Sequence, residues 1–324
     1  MSWKTVILSL CLLPLLGACA TPVPRDAEFA RIDTSALPPA DLQLNIPGLS
    51  SCTTSEDKTI QLNSREPVTI IVHGCFGSAG RFRALSQVYA FHGQQSVCFS
   101  YNDRDSLNKS ADEFAEALQA LAAEMDHPRF HIIAHSQGGL IARRGLAEGH
   151  HAGLAETPMA AELVTISSPF AGIAAANHCA SPTARVVSLG LTVPICWVVS
   201  GGKWFDITWR SPFIKEPGEL LAQVPRHLKI VTDERDTCRR YDQTGRCVKS
   251  DYVFSLDEQY FAAIDQEQRV ENVQIHAGHA EIVGDHQLVP DKLIAELQRQ
   301  GLMHPTPVQR QDALAALLAR LYLE

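Results

Sequence analysis

The chain lacks the features that would indicate a nucleic-acid-binding protein, a metal centre or a membrane-spanning core. Acidic residues outnumber basic ones by 36 to 28, for a formal charge of −8, whereas binding to phosphates requires clustered Lys and Arg. None of the nine cysteines stands in a CxxC pair that could seed a metal site. Beyond residue 20, no apolar run is long enough to cross a bilayer. We therefore expect no nucleic-acid partner, no metal and no cofactor.

What is present is typical of a globular domain with a sizeable core, because 45% of the 324 residues are apolar. Helical segments are predicted over Arg81–Phe91, from a capping box at Ser110 to Met125, and over Asp291–Gln298. They alternate with six β-branched or apolar segments that resemble buried strands, at Val68–Val72, Ser96–Ser100, Phe130–Ala134, Leu163–Ile166, Leu228–Val231 and Val273–Ile275. This alternation predicts an α/β fold, with a mostly parallel central sheet flanked by helices on both faces.

The N-terminus has the pattern of a targeting segment. Lys4 precedes an apolar run from Val6 to Leu16, which is too short for a comfortable membrane span and predicts a signal peptide over residues 1–18. The following Leu-Gly-Ala-Cys is similar to the processing box of bacterial lipoproteins. That resemblance implies that Cys19 carries acyl chains such as palmitate and anchors the protein in the bacterial cell envelope, at the outer membrane. The alternative is an ordinary secretory signal that is cut after a small residue.

Export would permit disulfides. Without Cys11 and Cys19, an odd number of cysteines is left, so at least one is unpaired within the monomer that we expect. Cys238 and Cys247 flank a hairpin-like segment, and a bridge there would stabilise by roughly 2.5–3 kcal/mol. The next most plausible pair is Cys179 with Cys196.

Four segments are predicted. Residues 19–66 form a tether and an N-terminal edge segment, 67–300 the main domain, and 301–324 a C-terminal helix. Within the main domain, residues 173–225 interrupt the strand–helix rhythm and contain several Trp, Gly and Pro residues. We interpret them as an inserted cap or lid that accommodates an acyl chain, with a plain connecting helix pair as the alternative.

One pentapeptide carries the strongest chemical signal. Ala134-His135-Ser136-Gln137-Gly138 follows a predicted strand and leads into a helix-like segment. Small residues two positions before and after a serine permit the sharp bend that exposes a nucleophile. The alternative is that Ser136 only caps the helix.

Acyl transfer also needs donors for an oxyanion. His73-Gly74-Cys75 follows the first strand of the main domain. The backbone N–H groups of Cys75 and Gln137 would form the oxyanion hole. The other interpretation is an ordinary glycine turn.

These motifs, in this order, resemble the α/β-hydrolase superfamily, and within it the bacterial lipases and esterases. The stretch from Thr165 to Gly172 is similar to a Thr-x-x-Ser/Thr-Pro-His-x-Gly segment of many lipases, with Phe170 in place of the histidine. The resemblance covers residues 67–300 and implies a serine hydrolase with a Ser-His-acid triad.

The base that the resemblance implies is His279, in a Gly-His step just beyond the last strand; His276 and His286 are the alternatives. For the acid we favour Asp251, whose Asp-Tyr-Val-Phe-Ser context resembles the acid-bearing stretch of many lipases. Asp236, nearer a strand end, is the alternative acid.

The sequence thus predicts a hydrolase that cleaves carboxylic esters of lipid-like or acyl substrates through an acyl-enzyme. Thioesterase or phospholipase chemistry would use the same triad. A different class is also open, because a fold does not establish function: a lipoprotein with a hydrolase fold that binds lipid or a protein partner without turnover.

Overall fold

A mixed seven-stranded sheet organises the chain. The computed structural model describes residues 32–74, 82–174, 203–285 and 287–322. The strands within these ranges are β1 Leu42–Leu44, β2 Leu49–Ser50, β3 Ile60–Leu62, β4 Val68–Val72, β5 Gln95–Phe99, β6 Arg129–His135, β7 Ala160–Ile166, β8 Arg226–Asp233, β9 Cys238–Tyr241, β10 Cys247–Ser250 and β11 Val270–His276. The large sheet has the order β11-β8-β7-β6-β4-β5-β2. All its neighbours are parallel except the edge pair β2 and β5.

Helices follow most of the parallel strands. Within the described ranges they are α1 Arg83–Phe91, α2 Leu107–Glu124, α3 Gln137–Gly145, α4 Ala152–Ala155, α5 Lys203–Asp206, α6 Pro212–Lys215, α7 Leu256–Gln259, α8 Ala262–Asp265, α9 Asp291–Arg299 and α10 Gln311–Tyr322. Short 3-10 turns lie at Glu281–Val283 and Val308–Arg310. None of the described helices has both the length and the apolar character that crossing a bilayer requires.

The sheet separates two apolar clusters, because neighbouring residues of a strand point to opposite faces. On one face, Ile70 and Val72 of β4 lie in a cluster with α2 and α3. On the other face, Ile71 lies in a cluster with α1, α9 and α10. Helices therefore cover both faces, and the fold class predicted from the sequence is confirmed.

The six predicted strands coincide with β4 to β8 and β11, whereas two helices start elsewhere than predicted. The C-terminal helix α10 begins at Gln311 rather than at residue 301, and α2 begins before Ser110. Ser106, rather than Ser110, caps α2, and its hydroxyl accepts a hydrogen bond from the backbone N–H of Lys109 at 3.2 Å. Ser110 lies inside the helix and is buried. The helix thus begins one turn before the predicted capping box.

Two disulfides are present in the described part of the chain. The predicted bridge between Cys238 and Cys247 closes the β9–β10 hairpin. A second bridge, between Cys52 and Cys98, ties the segment after β2 to β5 across a sequence separation of 46 residues. Residues 1–18 and the cysteines Cys19, Cys75, Cys179 and Cys196 lie outside the described residues, as do positions 175–202 of the predicted cap.

Candidate active site

Ser136 occupies a sharp turn between β6 and α3. Its backbone has φ 56° and ψ −126°, a left-handed conformation that non-glycine residues adopt rarely and mainly at functional sites. Its side chain makes no capping hydrogen bond to the helix, so the interpretation of Ser136 as a side-chain cap is wrong. The turn admits only small neighbours: a Cβ added at Gly138 would lie 2.4 Å from the carbonyl oxygen of His73, and one at Gly74 would lie 2.9 Å from the Cβ of Ser136.

His279 lies in the loop after β11, beside the residue that precedes the serine. The rings of His135 and His279 have centroids 4.6 Å apart, and the His135 Nε2 lies 3.1 Å from the backbone oxygen of His279. Phe254 packs its ring edge-on against the imidazole, at a centroid distance of 4.9 Å. The carboxyl ends of β6 and β11 thus bring Ser136 and His279 to the same edge of the sheet.

The carboxylate that meets the imidazole belongs to Glu234. This residue directly follows β8, its side chain is completely buried, and its Oε1 lies 3.0 Å from Nδ1 of His279. An ionised carboxylate only accepts hydrogen bonds. The proton of a neutral His279 is therefore on Nδ1, which leaves Nε2 as a lone-pair acceptor.

Every oxygen of Glu234 has hydrogen-bond donors. Oε1 also accepts from the hydroxyls of Ser167 at 2.7 Å and Thr232 at 3.0 Å. Oε2 accepts from the backbone N–H groups of Val253 at 2.5 Å and Phe254 at 2.9 Å. Burial acts to raise the pKa of this carboxyl, but the hydrogen bonds from His279, Ser167 and the Phe254 N–H outweigh burial, so the pKa is lowered from its ordinary value.

Asp251 does not pair with the imidazole, and the assignment of this residue as the acid is corrected here. Its carboxylate accepts hydrogen bonds from the backbone N–H groups of Ala280 at 3.0 Å and Glu281 at 2.9 Å. Its backbone oxygen accepts from the N–H of His279 at 2.9 Å. Burial raises the pKa of Asp251, opposed by these backbone donors. Asp251 thus holds the backbone of the loop that carries His279, and a Cβ at Gly278 would lie 2.1 Å from its Oδ2.

The other sequence candidates lie apart from this cluster or outside the described residues. Asp236 is exposed and has φ 58°, and His276 is exposed at the end of β11. His286 and Cys75 lie outside the described ranges. Gln137 is the first residue of α3, where backbone N–H groups lack partners within the helix.

Phe170, which replaces the lipase histidine, is buried. Its ring packs edge-on against His227 at a centroid distance of 5.9 Å, and the ammonium of Lys229 lies 5.0 Å from its centroid. This position therefore belongs to the apolar cluster on the α2 and α3 side of the sheet, next to the buried side chains of His227 and Lys229. Within the described ranges, no cluster of three His, Cys, Asp or Glu side chains could hold a metal ion.

Sequence reasoning missed Glu234, although a signal was present. Glu234 is the first residue after β8, and in an α/β sheet the residues that follow parallel strands meet at one edge. The stretch from Thr232 to Asp236 contains three carboxylates. Of the three, only Glu234 has its carboxylate within hydrogen-bond distance of His279.

Comparison with known proteins gives a family match over part of the chain and matches to several solved structures. Residues 65–193 match the family described as the conditioned medium factor C-terminal domain. No curated protein matches the chain.

Three of the solved structures that resemble this chain are a lipase and two esterases. A lipase of Bacillus licheniformis in its mature form is 11% identical with a TM-score of 0.46, over 74% of this chain and 93% of that one. An inhibited esterase B of Lactobacillus rhamnosis is 12% identical with a TM-score of 0.45, over 85% and 91%. An esterase of Pyrococcus furiosus is 14% identical with a TM-score of 0.42, over 79% and 92%.

Proposed function

We propose that this protein is a serine hydrolase of carboxylic esters, with Ser136 as nucleophile, His279 as general base and Glu234 as the acid that orients His279. Ser136 attacks the acyl carbonyl carbon while Nε2 of His279 takes its proton. The alcohol leaves with that proton, and the acyl group remains on Ser136. Water, deprotonated by the same imidazole, then releases the carboxylic acid.

The observation that carries the proposal is the contact between His279 and Glu234. A completely buried carboxylate with five donors around it, 3.0 Å from one imidazole nitrogen, fixes the tautomer that a general base needs. The strained serine turn supplies the nucleophile on the same sheet edge. A serine that only capped a helix would need neither the buried carboxylate beside His279 nor the strained backbone.

The oxyanion donors remain those proposed from the sequence. The backbone N–H of Gln137 opens α3, at the positive end of the helix dipole, where a developing negative charge is stabilised. The N–H of Cys75, three positions beyond the end of β4 in the sequence, would be the second donor. Loss of one such donor typically lowers the rate about a hundred- to a thousand-fold.

The test is hydrolysis of a short p-nitrophenyl ester, combined with labelling by a fluorophosphonate. We expect the wild-type protein to turn over the ester and to react at Ser136, and Ser136→Ala to do neither while its thermal midpoint stays close to that of the wild type. Ser110→Ala is the control, because that serine is buried in α2 and its hydroxyl has no hydrogen-bond partner among the residues that the structure describes. Turnover by Ser136→Ala would remove this serine from its role.

The substrate class we propose is an acyl or lipid-like ester, with thioesters and phospholipids as alternatives for the same machinery. A panel of these three classes, each run against Ser136→Ala, identifies the leaving group by the highest kcat/KM. A wild-type protein that is neither labelled nor active would instead favour a lipoprotein that binds lipid or a protein partner without turnover.

We also propose that the protein is exported and held in the cell envelope by acyl chains on Cys19. The two disulfides of the described chain support export, because such bonds persist in oxidising compartments. Metabolic labelling with a palmitate analogue should mark the wild-type protein and not Cys19→Ser. Equal labelling of both would contradict the anchor.

A further inference from the structure

Ser167 is a buried serine in a backbone conformation that suits glycine. It directly follows β7, has φ 47°, and exposes none of its surface. A non-glycine residue in the left-handed region is strained by about 1 kcal/mol or more. Such a residue persists where its side chain has a compensating role, so the contacts of its hydroxyl are informative.

The hydroxyl of Ser167 lies at the junction of the proposed base and acid. Its Oγ lies 2.7 Å from Oε1 of Glu234 and 2.8 Å from Nδ1 of His279. The hydroxyl of Thr232 lies 2.8 Å from the same Oγ. Since the carboxylate can only accept, Ser167 donates its proton to Glu234, and a lone pair of its Oγ accepts from the Nδ1–H of His279.

We propose that Ser167 is a positioning residue for His279: it shares the Nδ1–H with Glu234 and so keeps the imidazole in the tautomer and orientation that Ser136 requires. This inference rests on the proposed hydrolase function and deepens it. Ser167 does not touch the reacting atoms. It acts through His279, in the way that outer hydrogen-bond partners fix the orientation of a catalytic imidazole.

Neighbouring groups hold the hydroxyl in place. Gln259 donates its Nε2–H to the backbone oxygen of Thr232 at 2.8 Å and accepts the Thr232 backbone N–H at 2.9 Å. Thr232 is thereby fixed, and its side chain borders both Ser167 and Glu234. These residues are buried and joined by hydrogen bonds, and the Nδ1–H of His279 faces two acceptors, Glu234 and Ser167.

The other explanation is that the serine merely fills space under the loop. Two substitutions separate the explanations. Ser167→Ala removes the hydroxyl and keeps the backbone strain, whereas Ser167→Gly removes both. Positioning predicts that both variants lower kcat about ten- to a hundred-fold with little change in KM. Space filling predicts that kcat falls only where the thermal midpoint falls. The two variants should then differ, because only Ser167→Gly also relieves the backbone strain.

The matched control is Ser168→Ala. Ser168 is the adjacent buried serine, and its hydroxyl donates to the backbone oxygen of Ile166 at 3.3 Å instead of joining the His279 cluster. We expect this variant to keep the wild-type kcat. Combining Ser167→Ala with Glu234→Gln should give a loss smaller than the product of the single losses, because both residues serve the same proton.

A spectroscopic measurement keeps the inference distinguishable from the proposed function. With selectively ¹⁵N-labelled histidine, the Nδ1–H signal of His279, assigned by its loss in His279→Gln, should shift in Ser167→Ala and Ser167→Gly but not in Ser168→Ala. An unshifted signal with wild-type kcat would overturn the inference and leave the hydrolase proposal intact. A protein without turnover whose signal still shifts would overturn only the hydrolase proposal.

Discussion

Replacing Glu234 by glutamine tests the acid assignment with almost no change in shape. Oε2 of Glu234 accepts two backbone N–H groups, from Val253 and Phe254. In Glu234→Gln the amide oxygen must keep that place, since an NH₂ group facing two N–H donors would leave all of them unpaired. The new NH₂ then faces Nδ1 of His279, and it forces the imidazole to accept there and to carry its proton on Nε2.

An imidazole protonated on Nε2 cannot take the proton of Ser136. The comparable acid-to-amide change in the serine-protease triad, a known case, lowers kcat about 10⁴-fold. We expect a fall of about 10³- to 10⁴-fold for Glu234→Gln, which is about 4–5.5 kcal/mol of transition-state stabilisation. Initial rates with a p-nitrophenyl ester measure kcat, and thermal unfolding should show that the fold is retained.

Asp251→Asn provides the matched comparison. Its carboxylate accepts hydrogen bonds from the backbone N–H groups of Ala280 and Glu281, and an asparagine oxygen can still accept one of them. We expect a loss of roughly 1–3 kcal/mol in the free energy of unfolding, seen as a lower thermal midpoint, and a fall in kcat below about tenfold. A kcat that collapses in Asp251→Asn and survives in Glu234→Gln would refute the reasoning.

The remaining predictions concern stability. Replacing both Cys52 and Cys98 by serine should lower the free energy of unfolding by roughly 4 kcal/mol in the loop-entropy account of a bond that spans 46 residues; an unchanged urea midpoint would contradict this. Gly138→Ala should destabilise the protein and abolish hydrolysis, because the added methyl would lie 2.4 Å from a backbone oxygen; a normal thermal midpoint with full activity would be the opposite result. Burial, helped by nearby cations, lowers the pKa of His227 far below its usual range. Below about pH 6.5, this histidine is protonated in the unfolded chain but stays neutral in the folded protein. The free energy of unfolding therefore decreases as the pH is lowered, by up to about 1.4 kcal/mol per pH unit. His227→Gln should flatten that slope in denaturant titrations, and an unchanged slope would contradict the assignment.

The sheet was predictable from the sequence because buried parallel strands are continuous apolar runs. The helix start was not, because Ser106 and Ser110 are both plausible caps by their residue type. The choice depends on a distant residue: the backbone N–H of Leu107 donates to Asp206 at 2.7 Å, nearly a hundred positions along the chain. A hydrogen bond between residues so far apart in the sequence cannot be predicted from the residues near the helix start.

The acid was not predictable for a related reason. Asp251 has the sequence context of a lipase acid, and it does lie beside His279, but its carboxylate meets the backbone of the loop. Glu234 is placed beside His279 by the hydrogen bonds that it accepts from the backbone N–H groups of Val253 and Phe254, which lie far from it in the sequence. Tertiary contact also decides the bridge from Cys52 to Cys98, because an odd number of cysteines leaves the pairing open.

The β9–β10 hairpin leaves the sheet edge and comes back to nearly the same point. The backbone N–H of Asp251 donates to the oxygen of Thr237 at 3.3 Å, and the bond from Cys238 to Cys247 closes the hairpin just beyond. The hydrogen bond and the disulfide hold together the two ends of the hairpin, which connect Glu234 to Asp251. The exposed tip around Tyr241 is therefore a natural graft point, where a fluorophore, an affinity tag or a longer recognition loop could be inserted while the spacing of the residues beneath is preserved.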